Sequence, residues 1–306
     1  MLQTIRRVLS ALRSKLFGSK EQTLAKQIFV SYSEKCRAAG IDRLYFVISF
    51  DCDTPEDAQA SKRLSPYLMD KGIIPTFAVP GAQLAEGAVI YRDLYQNGAH
   101  FMNHGGQPHA VRRGPRYFSV TDYATFTDEQ VIADIREGHR INVDVLGASP
   151  TGFRAPHFGS YQKPEQLDVI YRTARDLGYS YCSTTLPPIA YEGGATIKRE
   201  GGLYEFPLIG SVRSPQVILD SWNYLSDVEK LILKDDFFVL FKETVDYFLD
   251  NNLPGVLNYY VDPAHVVDNP PFYKAIDYIA EKGIPSLSFP QLIDLAEGRA
   301  KGPSAT

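Results

Sequence analysis

Leu44-Tyr45-Phe46-Val47-Ile48-Ser49-Phe50-Asp51-Cys52-Asp53-Thr54-Pro55 is the stretch on which the fold turns. Seven residues rich in aromatic and β-branched side chains run from Leu44 to Phe50, the pattern of a short buried strand. Pro55 cannot continue a ladder, so the strand ends just where two carboxylates, Asp51 and Asp53, emerge. In extended backbone, positions two apart face the same way, and both carboxylates can reach one point.

Working outward, helical and strand patterns alternate. A helix is expected over Ala58–Lys71, stopped by Gly72, then a strand over Ile74–Val79 and a helix over Val89–Asn97. A short strand, Ala99–Met102, leads into Asn103-His104, and Gly105–Phe126 reads as irregular. Thr127-Asp128-Glu129-Gln130 has the form of a capping box and predicts a helix reaching about Leu146. Beyond it come a strand end at Gly152-Phe153-Arg154, a helix over Pro164–Leu177, and a strand over Tyr179–Ser183. Ala190–Gly202 is Gly-rich and suits a hairpin; Asp235–Asn251 and Pro271–Lys282 suit helices around a strand at Gly255–Val261. A last strand, Ser286–Phe289, and a helix, Pro290–Glu297, close the pattern. Such alternation favours an α/β fold with a parallel sheet, specifically a (β/α) barrel, whose chemistry sits at the C-terminal ends of the strands. The chain divides into an N-terminal helical extension (1–40), the barrel (41–298) and a polar tail (299–306).

Composition narrows the function. At 44% hydrophobic the chain can bury a sizeable core, and a net charge of -4 argues against nucleic acid as a partner, since phosphate binding needs a basic surface. Cys36, Cys52 and Cys182 have no CxxC spacing, which suits a reducing compartment and no disulfide framework. Residues 1–17 place Leu2, Ile5, Leu9, Leu12 and Leu16 at helical spacing with Arg6, Arg7, Arg13 and Lys15 between them. Two roles fit this basic amphipathic helix: peripheral contact with an anionic membrane surface, or packing on its own domain or a sister subunit. The expected location is the cytoplasm, in association with the inner membrane face; the oligomeric state is open.

The residues just past the strand ends are Asp51, Asp53, His104, His109, Arg154, Asp262 and His265, and they include three of the six histidines. Two imidazoles and one carboxylate are the ligand set of a hydrolytic metal centre, which leaves a second carboxylate free as general base. Gly105, Gly106 and Pro108 make the segment between His104 and His109 a loop able to bring both rings together. Arg154 beside the acids would hold the base ionised and oriented.

The ordered set Ser49-Phe50-Asp51-Cys52-Asp53, Pro75-Thr76-Phe77-Ala78-Val79-Pro80-Gly81, Asn103-His104 with His109, Thr127-Asp128-Glu129-Gln130 and Phe153-Arg154-Ala155-Pro156 resembles the polysaccharide deacetylase family (the NodB-homology domain). The resemblance spans roughly residues 44 to 290. It implies a distorted (β/α) barrel, often with seven strands, and metal-assisted removal of acyl groups, mainly N-acetyl, from sugars. It makes Asp51 the catalytic base, Asp53, His104 and His109 the metal ligands, and Arg154 the orienting arginine, with Pro156 in its motif. The implied cofactor is a divalent ion, Zn2+ first among the transition metals. Substrate contacts are expected from Pro156, His157 and Arg113, the last on a basic lip with Arg112 and Arg116.

Three departures stand out. The histidine gap is five with Gly105 following, where the family has four with Ser or Thr. The segment from His109 to Phe126 is long. Asp262 takes the place of a late histidine that protonates the leaving nitrogen, so His265, three positions on, is the expected acid, with His157 as its alternate. Two other outcomes are kept open: a non-catalytic carbohydrate-binding relative, and a hydrolase of a small non-sugar amide.

Overall fold

A computed structural model describes residues 26–299 except 115, 158, 223–225 and 228–231. The amphipathic stretch 1–17 and the tail beyond 299 lie outside the described residues. A helix over residues 26–38, α1, turns Phe29, Tyr32 and Cys36 into the core, and Tyr32 Oη donates to the Val256 carbonyl at 2.7 Å.

The predicted first strand is β1, Leu44–Asp51, buried along its whole length. The other main strands are β2 (Thr76–Val79), β3 (His100–Asn103), β6 (Gly152–Phe153), β7 (Tyr181–Cys182), β9 (Tyr204–Glu205) and β12 (Gly255–Val261). With β8 (Ile197–Lys198) they form one curled sheet in the order β12-β1-β2-β3-β6-β7-β9-β8. Seven strands are parallel and only β8, on the edge, runs antiparallel to its neighbour. The curl brings Phe206–Ile209, just past β9, back to β12: the Ile209 N–H donates to the Asn258 carbonyl at 3.2 Å. Asn258 Nδ2 adds bonds to the carbonyls of Phe206 and Pro207, each at 3.0 Å.

Helices cover the outside: α2 (Pro55–Asp70), α3 (Gly81–Glu86), α4 (Ala88–Gln96), α5 (Asp128–Leu146), α6 (Pro164–Asp176), α7 (Pro187–Gly193), α8 (Asp236–Asp250), α10 (Pro270–Glu281) and α11 (Phe289–Ala296), with a one-turn α9 (Pro263–Val266) after β12. Two caps aim the strand ends. The Thr54 N–H and Oγ1 both donate to Asp57 Oδ2, at 2.9 and 2.7 Å, which turns the chain into α2 directly after Asp53. At α5 the capping box forms as its sequence predicts, the Thr127 N–H donating to Gln130 Oε1 at 2.8 Å. No helix of the described residues is long and apolar enough to cross a membrane.

Three local expectations change. The stretch read as irregular contains a hairpin, β4 (Ala110–Arg113) against β5 (Arg116–Ser119), turned at Gly114 with φ +65°. The expected hairpin at 190–202 is shifted: α7 takes residues up to Gly193, and β8 pairs antiparallel with β9 across a turn at 199–203. The expected last strand shrinks to one bridge, Ser286 beside Phe46, because Pro285 lacks an N–H and Ser288 already caps α11. Short β10 (Ser226–Asp227) and β11 (Ile232–Leu233) form a separate ribbon.

Candidate active site

Parallel strands end together, so whatever follows them shares one rim. Asp51 closes β1, His104 follows β3, Arg154 follows β6, Ser183 follows β7 and Asp262 follows β12. Arg154 is fully buried, and its guanidinium is spent on this rim. Nη1 donates to Asp51 Oδ1 at 2.7 Å, Nη2 to Ser183 Oγ at 3.0 Å and Nε to the Ser183 carbonyl at 3.0 Å. Its Cζ also lies 5.4 Å from the Tyr260 ring centre. With Oδ1 occupied, Oδ2 is the Asp51 oxygen left for other work, 3.8 Å from His104 Nε2.

Asp53, His104 and His109 each offer a ligand atom, and those atoms lie within 4.8 Å of one another. His104 Nδ1 faces the Arg154 carbonyl at 2.8 Å. A carbonyl only accepts, so Nδ1 carries the proton and Nε2 presents a lone pair, 3.6 Å from Asp53 Oδ1. His109 Nδ1 is 3.0 Å from Asp53 Oδ1, its ring centre 4.3 Å from that of His104, and its Nε2 is buried without a partner. Two oriented imidazoles and a carboxylate, dry and converging, fit a divalent transition ion by donor chemistry.

Electrostatics point the same way. Burial pushes the Asp51 carboxyl up to about 8, Arg154 pulling it back and Asp53 adding to the rise. Burial raises Asp53 as well, with the Asp262 charge reinforcing it. The His104 imidazole is driven well below its ordinary range by burial and by His109. Carboxylates reluctant to ionise next to imidazoles reluctant to take a proton form a site short of positive charge, the electrostatic setting that suits a cation.

These groups open into a pocket of about 230 Å³, whose far wall is Trp222, Tyr260 and Asp262. His157 also lines it: the residue holds a left-handed φ of +49°, and its Nε2 is buried with no partner. A larger hollow, about 1310 Å³ around Gly40, Arg43 and Tyr204, sits at the opposite ends of the strands, away from this chemistry.

Other predicted residues fall differently. Pro156 is buried beside the rim. Arg113 is exposed on the hairpin, its guanidinium 5.6 Å from the Phe118 ring centre, and it does not line the pocket. His265 lies behind the far wall, in a separate hollow of about 20 Å³ that shares Trp222 and Asp262 with the pocket. Its Nδ1 is 3.6 Å from Asp262 Oδ2 and its ring meets Trp222 edge-on at 5.0 Å. Burial alone lowers the His265 pKa, but the Asp262, Asp57 and Asp220 charges outweigh it and the net direction is up. Asp262 itself is saturated: Ser221 Oγ donates to Oδ2 at 2.7 Å and Trp222 Nε1 to Oδ1 at 2.6 Å. Sequence reasoning passed over Ser183, Trp222 and Tyr260. The lone tryptophan beside an acid, and the Asn258-x-Tyr260-x-Asp262 alternation on one strand face, were the available signals.

Residues 42–182 match the family model described as polysaccharide deacetylase. Among solved structures, a polysaccharide-deacetylase-type protein of Mycobacterium smegmatis aligns with TM-score 0.62 at 15% identity, covering 87% of this chain and 94% of that one. An allantoinase aligns with TM-score 0.58 at 11% identity, over 84% of this chain and 90% of its own. A CE4 family pseudoenzyme of Bacillus anthracis aligns with TM-score 0.51 at 11% identity, over 83% and 67%. At such identities the likeness is one of fold. No curated protein matches the chain in sequence.

Proposed function

We propose that this chain, whose residues 42–182 match the polysaccharide deacetylase model, is a metal-dependent hydrolase removing an acyl group, N-acetyl first, from a sugar or sugar-containing intermediate. The observation that carries this reading is the convergence of two units: Asp51 clamped by Arg154, and the Asp53, His104, His109 donor set beside it.

A divalent ion held by that set, zinc by its two nitrogens and one oxygen, supplies Lewis acidity at the acyl oxygen and lowers the pKa of water. The chain's own residues do the rest. Arg154 fixes Asp51 through Oδ1, and Oδ2 accepts a proton from water as the water oxygen attacks the acyl carbon. The C–N bond then breaks with its electron pair going to nitrogen. That nitrogen takes a proton from His157, which lines the pocket with an unspent Nε2 and whose pKa burial and His109 hold below the ordinary imidazole value, so that its protonated form gives the proton up readily; the acyl group leaves as the acid. Asp262 is a poor donor here, since both its oxygens are already engaged in accepting hydrogen bonds from Ser221 and Trp222. Exposed Arg112 and Arg113 on the hairpin, next to the pocket-lining Ala110, favour an anionic, phosphate-bearing sugar.

The test is acetate release by purified, zinc-loaded protein from N-acetylated sugars, neutral and phosphorylated, with Asp51→Asn as control. Release by the wild type and a fall of about 10²–10⁴-fold in the variant are expected. Equal rates on neutral and phosphorylated sugars remove the anionic preference.

A second reading, a carbohydrate-binding relative without turnover, is favoured by Asp262 standing where the family's acid histidine belongs and by the pseudoenzyme among the structural neighbours. Bound zinc with no release from any acylated sugar selects it. Release from small non-sugar amides alone selects the remaining alternative, which the modest pocket volume allows.

A further inference from the structure

The five-residue histidine gap is a folded device, built against α5. Between His104 and His109 the chain makes a turn in which Gly105 holds φ +83°. The Gly106 and Gln107 N–H groups both donate to Asp134 Oδ1, at 3.1 and 2.9 Å, and Tyr123 Oη donates to Asp134 Oδ2 at 2.7 Å. On the other side, the Gly105 and Gly106 carbonyls accept from the Gly81 and Ala82 N–H groups at 2.8 and 2.9 Å. The Gly105 N–H donates to Asn103 Oδ1 at 3.0 Å. Every backbone polar group of the Gly105-Gly106 pair therefore has a partner, three of the four supplied by another part of the fold.

Sterics leave the turn no second position. A Cβ on Gly105 would stand 2.3 Å from Asp134 Oδ2, and one on Gly138 of α5 would stand 2.5 Å from the Gly105 carbonyl oxygen. The loop and the helix are in backbone contact, with Asp134, 3% exposed, filling the gap. A carboxylate buried there is stable only because three donors converge on it.

We propose that Asp134 is a positioning residue for metal binding: by gathering two consecutive backbone N–H groups, it sets the distance and angle between His104 and His109 while touching neither reacting atoms nor ligand atoms. The proposal rests on the reading of those histidines as ligands. It explains why a glycine follows His104: the space a side chain would use belongs to Asp134. It also assigns α5, entered through the Thr127 capping box, a function beyond covering the sheet. Removing a partner that orients metal ligands typically costs 10–100-fold in affinity.

The experiment is titration of chelator-stripped full chain with Co2+, followed by its visible ligand-field bands, with Zn2+ competition. Wild type binds; Asp134→Ala binds at least about tenfold more weakly with altered bands. Asp134→Asn, whose Oδ1 still accepts both N–H groups, recovers most of the affinity. If Asp134→Ala does not fold by circular dichroism, Gly105→Ala replaces it, since the added Cβ displaces the carboxylate. Wild-type affinity and bands in Asp134→Ala, or in Gly105→Ala when that stands in, overturn the proposal alone. A wild type that takes up no Co2+ and no Zn2+ overturns the metal reading, and the proposal with it.

Discussion

The two walls of the pocket are built on different terms. The wall from β1, β3 and β6 carries Asp51, Asp53, His104 and Arg154 at the strand ends of one sheet, where β2 links β1 to β3 and β3 pairs with β6; backbone holds His104 and a buried charge holds Asp51. The opposite wall, after β12, is a side-chain assembly. Asp262 is held by Ser221 and Trp222, which come from an excursion between β9 and α8, and His265 sits behind them on a one-turn helix. Asp51, Asp53, His104 and Arg154 of the first wall stand at the motif positions of the polysaccharide deacetylases that the chain resembles, with a longer gap to the second histidine; the second wall departs at Asp262. Groups at the ends of paired parallel strands have their spacing imposed by the ladder. Groups on excursions must be tied in place one hydrogen bond at a time, and can change without disturbing the sheet.

The largest expected effect tests which wall supplies the proton. His157→Gln should lower turnover of an N-acetylated sugar by about 10²–10⁴-fold while sparing an aryl acetate, whose phenolate leaves without protonation. His265→Gln should slow both substrates to the same smaller degree. Steady-state rates on the two substrates decide, and the opposite pattern moves the acid to the β12 wall.

Next, Arg154→Met should break the first wall. It leaves Asp51 buried without its cation, and loss of one partner of a buried pair costs roughly 3–5 kcal/mol. Urea unfolding of the metal-free protein measures it. The same curve for Ser221→Ala on the opposite wall should move less, by about 1–3 kcal/mol, since Ser221 Oγ both donates to Asp262 Oδ2 and accepts from the Asp262 N–H.

A pH effect separates the walls more gently. Asp51 has a folded pKa near 8, far above its ordinary 3.8, so the native state holds more protons than the unfolded chain between those values. Its contribution to stability therefore falls as pH rises through that window. His265, raised above 6.5, loses its stabilising share in the same direction, while the depressed His104 has finished its opposite effect by that point. Metal-free protein should be less stable at pH 8 than at pH 7, and zinc should reverse the trend. Denaturation midpoints at the two pH values, with and without zinc, check the sign.

The smallest effect is expected on the hairpin. Arg113 is exposed and stacks on Phe118, so Arg113→Ser should change stability by under about 1 kcal/mol and raise KM for a phosphorylated sugar a few-fold at low salt. An unchanged KM at low ionic strength removes the hairpin from substrate binding.

Much of the first wall was legible in the linear chain. The hydrophobic run Leu44–Phe50 announced β1, Pro55 announced its end, and both carboxylates had to appear there. The Thr127 capping box located the start of α5 without tertiary information. Legibility failed where pairing partners are remote. The hairpin of β4 and β5 has weak alternation and exposed apolar residues, Phe118 at 43%, so no period marks it. The final strand looked plausible in hydrophobicity, but Pro285 and the Ser288 cap left room for a single bridge.

By itself, then, the sequence determined the alternating architecture, the strand ends and the residue types gathered there, because local periodicity and turn chemistry act over a few neighbours. Only the tertiary structure decided which imidazole faces the pocket. Along the chain His265 reads as the acid with His157 as its alternate, yet the packing of Trp222 against Asp262 puts His265 behind the wall and leaves His157 lining the pocket. That choice depends on elements far apart in sequence meeting in space, and on the few ångströms that a single buried tryptophan takes up.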